Sequence, residues 1–79
     1  MYYVYILQSQ SNPNHYYVGL TENIERRLKQ HNAGNSTHTN KYLPWILTTA
    51  ISFSDKTKAE AFEVYLKSGS GRLFAKRHF

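Results

Sequence analysis

The stretch HYYVGLTENIERRLKQHNAG, His15–Gly34, decides the fold because its periodicity changes midway. Tyr16, Tyr17 and Val18 are aromatic and β-branched, the composition of a strand, and Gly19 is read as its end. From Ile24 onward the spacing is helical: Ile24, Leu28 and His31 fall on one face. Thr21 or Asn23 can cap this helix, and Glu22 and Glu25 carry the charge favoured in a first turn. Its end is expected at Asn32-Ala33-Gly34, where glycine supplies a left-handed cap.

Outward from this stretch, Tyr2–Leu7 is another aromatic and β-branched run. The turn-forming Ser9-Gln10-Ser11-Asn12-Pro13-Asn14 joins it to Tyr16 as a hairpin. Downstream, Asn35–Asn40 reads as polar loop, and Leu43-Pro44-Trp45 through Phe53 as a longer strand. Ser54 or Asp55 caps a second helix that runs to about Lys67. Gly69 and Gly71 are expected to break this helix before a short basic tail, Arg72–Phe79, of one or two helical turns. The order β, β, α, β, α plus a short C-terminal helix implies an α+β fold, an antiparallel sheet covered by helices.

With 79 residues the chain is expected to be one domain, 1–79, and its core must be thin. Hydrophobic residues make up 41% and mean hydropathy is −0.61, values of a globular chain and not of a membrane-embedded or disordered one. The absence of cysteine excludes disulfide staples and thiolate metal sites. MYYVYIL lacks the charged n-region and long h-region of a secretion signal, so an intracellular, cytoplasmic location is expected. Ten Lys and Arg against five Asp and Glu give a net charge of +5, which favours a polyanionic partner. Lys67, Arg72, Lys76 and Arg77 extend this charge to the end with no acid among them.

On the first helix Arg26, Lys29 and Gln30 lie opposite the apolar face, whereas Arg27 lies at its edge. A packed guanidinium there suits bidentate contact with phosphate, although an arginine stem lying over the core rim explains the position equally simply. His31, one turn further, reads as a capping or packing residue as readily as a proton carrier. His15, His38 and His78 have no partner at metal-ligand spacing. The second helix has an apolar stripe of Ala59, Phe62, Tyr65 and Leu66, with Glu63 at its margin. Lys67 follows Glu63 by four residues, so a helix ion pair competes with metal binding as the reading of that carboxylate.

Tyr3-Val4-Tyr5, Tyr17-Val18-Gly19, Arg27 and His31 in the next helix and Glu63 in the following one together resemble the GIY-YIG nuclease family, over nearly the whole chain. The likeness is to small single-domain members that resemble the nuclease module of structure-specific and excision-repair endonucleases. It implies a small three-stranded antiparallel sheet flanked by helices and hydrolysis of DNA phosphodiesters, with a role in repair or recombination. By this resemblance Glu63 binds a divalent metal, Mg²⁺ or Mn²⁺, and Arg27 holds the scissile phosphate. Tyr5 and Tyr17 activate and orient the attacking water, with exchangeable roles, and His31 assists proton transfer. Arg27, Lys67, Arg72, Lys76 and Arg77 are the expected DNA-binding residues. The chain departs from the family at Tyr3, where glycine is usual, and in having no asparagine after Asn40. A nucleic-acid-binding module of the same fold that does not cut is the alternative, and a plain protein-interaction domain is a third.

Overall fold

The computed structural model describes residues 1–79 and orders them as β1 (Tyr2–Ser9), β2 (Tyr16–Thr21), α1 (Ile24–Asn32), β3 (Trp45–Phe53), α2 (Lys56–Lys67) and α3 (Gly69–His78). A 3₁₀ turn, Asn40–Tyr42, precedes β3. The sheet order is β2-β1-β3, with β1 antiparallel to both neighbours. This is the expected three-stranded antiparallel α+β fold.

Being central, β1 is buried on both faces from Val4 to Leu7. Val4 and Ile6 pack with Ala59 and Leu66, joined by Phe53, Phe62 and Phe74. Tyr5 and Leu7 face the other way, against Trp45, Leu28, Tyr17 and Tyr42. Alternation along one strand therefore sends β1 side chains into two cores, one under α2 and α3 and one under α1. Full burial of a leucine such as Leu7 is worth about 1.5–3 kcal/mol.

Capping follows the sequence closely. Asn23 accepts from Arg26 N–H at 3.0 Å, Asp55 accepts from Lys58 N–H at 3.2 Å, and Gly34 takes φ 77° after α1. Three expectations need correction. Gly19 lies inside β2 rather than ending it, because the ring of Tyr5 occupies the space beside it. The second helix ends at Lys67 as expected, but Gly69 and Gly71 form the first turn of α3 instead of preceding it, and Ser68 caps that helix by accepting from Gly71 N–H at 3.1 Å. A β-carbon on Gly71 would collide with the Tyr65 carbonyl, so glycine here permits the tight passage from α2 to α3. Tyr65, expected in the apolar stripe, is 39% exposed and rests edge-on against Phe74 of α3. No helix is long and apolar enough to cross a membrane.

Candidate active site

The α1-side face of the sheet gathers four of the five residues singled out as catalytic. Tyr5 pairs with Gly19 in the β1–β2 ladder, and its ring crosses that glycine: a β-carbon on Gly19 would collide with Cζ and Oη of the phenol. Only a residue without a side chain lets the phenol pass, which is why glycine stands within a strand. Tyr17 follows on the same face, with its ring centroid 6.2 Å from that of Tyr5 and 4.9 Å from that of His31.

His31 is fully buried, and both ring nitrogens are occupied. Nε2 lies 2.9 Å from the Tyr5 hydroxyl and Nδ1 lies 2.7 Å from the hydroxyl of Thr39. Three further hydrogen bonds fix this arrangement. Asn32 Nδ2 donates to Trp45 O at 3.0 Å while its Oδ1 accepts from Trp45 N–H at 2.6 Å, and the Trp45 indole N–H donates to Thr39 O at 2.8 Å. The end of α1, the loop after it and the start of β3 are thus tied into one unit around the imidazole.

Electrostatics follow from this packing. Burial, and then the nearby Arg27 charge, hold the His31 pKa below its ordinary 6.5, so the imidazole is neutral at pH 7. Burial raises the Tyr5 pKa above 10.0, opposed by the Arg27 guanidinium and assisted by the Tyr17 and Glu63 charges. Arg27 is half-buried at the edge of α1, where its Nη1 donates to Gln30 Oε1 at 3.0 Å. Its guanidinium lies close enough to the phenols of Tyr5 and Tyr17 for both to favour its charged form. Arg26 is exposed, so the two adjacent arginines divide as helical spacing implies.

Glu63 reaches the site differently. Its carboxylate acts on Tyr5 through its charge, while its direct partner is Lys67 Nζ at 3.2 Å. The Glu63 side chain is 21% exposed and that of Lys67 is 52% exposed. The lysine end of this pair can therefore swing into water at little cost. No cluster of three or more His, Asp or Glu side chains forms anywhere.

On the opposite, α3-side face of the sheet, a groove that reaches Tyr17 at its margin is lined by Lys67, Arg72 and Lys76 over the apolar Ile6 and Leu66. No acid lines it. Three of the four expected C-terminal cations thus line this groove, whereas Arg77 does not. Thr39, Asn32 and Trp45 escaped the sequence reading. The first lies in a stretch that looks like polar loop, and nothing in Asn35–Asn40 marks its one fully buried hydroxyl.

A small basic α+β domain with two tyrosines, an arginine and a neutral histidine on one sheet face, and a cationic groove on the other, is the class this geometry defines. The chain belongs to the GIY-YIG family: the GIY-YIG catalytic domain matches residues 1–77. It is 40% identical over 67 residues to a UPF0213 protein of Bacillus licheniformis, covering 84% of this chain and 67% of that one. It is 39% identical over 69 residues to the structure-specific endonuclease subunit SLX1 of Scheffersomyces stipitis, covering 78% of this chain but 20% of that protein. This chain therefore spans about a fifth of the length of its SLX1 relatives. The solution structure of the UPF0213 protein BH0048 from Bacillus halodurans superposes with a TM-score of 0.57 at 31% identity, over 96% of this chain and 81% of that one.

Proposed function

We propose that this protein is a divalent-metal-dependent endonuclease that hydrolyses phosphodiester bonds in DNA, in repair or recombination. The observation that carries the reading is the convergence of Tyr5, Tyr17, Arg27 and His31 on one sheet face, with an acid-free cationic groove on the other face that reaches Tyr17. Family membership and likeness to structure-specific endonuclease subunits support the same reaction class.

A phosphodiester resists attack because it is anionic, so its site must place positive charge where negative charge develops. The Arg27 fork, packed at the helix edge, offers two N–H groups to one phosphate. Tyr5, with Arg27 charge at its oxygen, orients the attacking water and accepts its proton as its own O–H proton passes to Nε2 of neutral His31, 2.9 Å away, and Tyr17 holds that water from the other side. Lys67, Arg72 and Lys76 carry the flanking phosphates along the groove. Glu63 fits Mg²⁺ or Mn²⁺: it is a single, partly exposed carboxylate whose lysine partner is free to leave, and Mg²⁺ is commonly held by one or two carboxylates plus substrate phosphate. When bound, the ion supplies Lewis-acid stabilisation of charge on the phosphate.

Incubating the purified protein with Mg²⁺ or Mn²⁺ and a panel of linear, nicked and branched DNAs tests the proposal. Metal-dependent cleavage of at least one form is expected. Binding without cleavage of any form would leave a nucleic-acid-binding module in its place.

A further inference from the structure

We propose that Gln30 is a positioning residue for Arg27: its side-chain oxygen holds Nη1 of the guanidinium and leaves the opposite edge, Nε–H and Nη2–H, to meet a phosphate with its charge undiminished. The role toward phosphate rests on the nuclease reading, whereas the contact stands without it.

Helix geometry makes the contact. Side chains on a helix lean back over the preceding turn, so the Gln30 amide comes to lie against Arg27, three residues earlier. Nη1 donates to Oε1 at 3.0 Å, the one hydrogen bond of the Arg27 side chain. Arginine carries only donors, so the oxygen of the amide and not its nitrogen must face it. Gln30 is half-buried, whereas Lys29 beside it and Arg26 one turn before it are exposed. The glutamine is thus drawn toward the site and away from the water-facing side that helical spacing alone assigns it.

Neutrality of this anchor matters as much as its position. Lys67–Glu63 is the only ion pair in the structure, so no carboxylate takes up the Arg27 charge. An amide oxygen restrains the guanidinium without cancelling that charge. A glutamate in its place would restrain it and also compete with phosphate for it. Holding Nη1 before substrate arrives removes part of the rotamer freedom that an arginine otherwise loses on binding. It also directs the fork, because Nε–H and Nη2–H lie along one edge, the pair of donors that spans two oxygens of one phosphate.

Guanidinium rotation in the ¹⁵N-labelled protein without DNA or metal, read from the Arg27 Nη resonances, tests the contact. Rotation about the Cζ–Nη1 bond is expected to be hindered in the wild type and in Gln30→Glu. It should be faster in Gln30→Met, which keeps the length of the side chain without the acceptor. With DNA and Mg²⁺ or Mn²⁺, Gln30→Met should lower kcat on the order of tenfold, the effect of a misplaced phosphate clamp. Without metal, Gln30→Glu should weaken DNA binding about fivefold. The same exchange in an Arg27→Ala background should cost little, because the competition needs the guanidinium. A freely rotating Arg27 in the wild type overturns the inference, whatever the variants do. So does unchanged rotation in a folded Gln30→Met protein, or an equal loss of affinity from Gln30→Glu with and without Arg27. The expected rotation and affinity results, obtained with a wild type that cuts no DNA, support the inference and end the nuclease reading instead.

Discussion

The ring of Tyr5 lies across Gly19, the residue it pairs with in the β1–β2 ladder. Strand pairing alone thus delivers the phenol to the space beside α1, where Arg27 and His31 meet it. Gly19→Ala should force the ring aside and destabilise the fold by about 1–3 kcal/mol, the usual range for overpacking. Urea denaturation gives the stability change, and cleavage should fall with it. A variant that melts and cuts like the wild type would show that the phenol takes another path.

Glu63→Gln keeps the size of the side chain and removes the charge that would attract an ion. Cleavage should drop by at least about 10²-fold, or roughly 2.7 kcal/mol of barrier. Affinity for DNA in the absence of metal should hold or rise, since a negative charge has left the phosphate site. Arg27→Lys should also impair cleavage, because a point charge cannot reproduce a bidentate fork. Wild-type rates in Glu63→Gln would remove the metal from the mechanism.

Groove geometry separates the C-terminal cations. Removing one side chain that neutralises a phosphate should flatten the slope of log K against log salt by about 0.9 on duplex DNA. Arg72 and Lys76 line the groove, so Arg72→Ala and Lys76→Ala should each show this effect. Arg77→Ala should change the slope less, because its side chain lies off that wall. Equal slopes for all three variants would place bound DNA elsewhere.

Neutral, buried His31 predicts an acid-side loss of stability. Its folded-state pKa lies below the 6.5 of an unfolded chain, so as pH falls through that value the unfolded state takes up a proton before the folded state does. Stability should decline from about pH 6.5 down to the folded pKa and then level off in this contribution. Urea titrations across that window measure the decline, and His31→Asn should lessen it. A slope identical in the variant would assign the loss to other groups.

Much of this architecture is written locally. Two strand-like tyrosine runs, the Asn23 and Asp55 caps and Gly34 all act within a few residues of themselves, and so they are legible. Helical spacing alone separates Arg27 from Arg26. What stays hidden depends on packing between distant segments. Nothing in HTNKY announces that Thr39 will be sealed beneath Trp45 and His31, because that burial exists only once β3 docks on β1. Gly19 looks like a strand end until Tyr5 is seen above it, and Gly71 looks like a helix breaker until the Tyr65 carbonyl occupies the space its side chain would need. Arg77 and Lys76 are one step of helical rotation apart, and which of them faces the groove depends on how α3 packs on the sheet. Roles for Tyr5, Tyr17 and Glu63 come from the family resemblance, since a strand tyrosine and a helix glutamate are common structural residues.

Because β1 is the central strand, Tyr5 meets its partners only after β2 has paired on one side and β3 on the other, with the Asn32–Trp45 clamp closed behind His31. The candidate site residues come from the first strand, the hairpin, the first helix and the second helix, so they are brought together by pairing and packing and not by nearness in the chain. On the nuclease reading, a chain whose β2 or β3 has not yet paired with β1 holds scattered tyrosines and no assembled centre, so DNA is spared until the sheet closes.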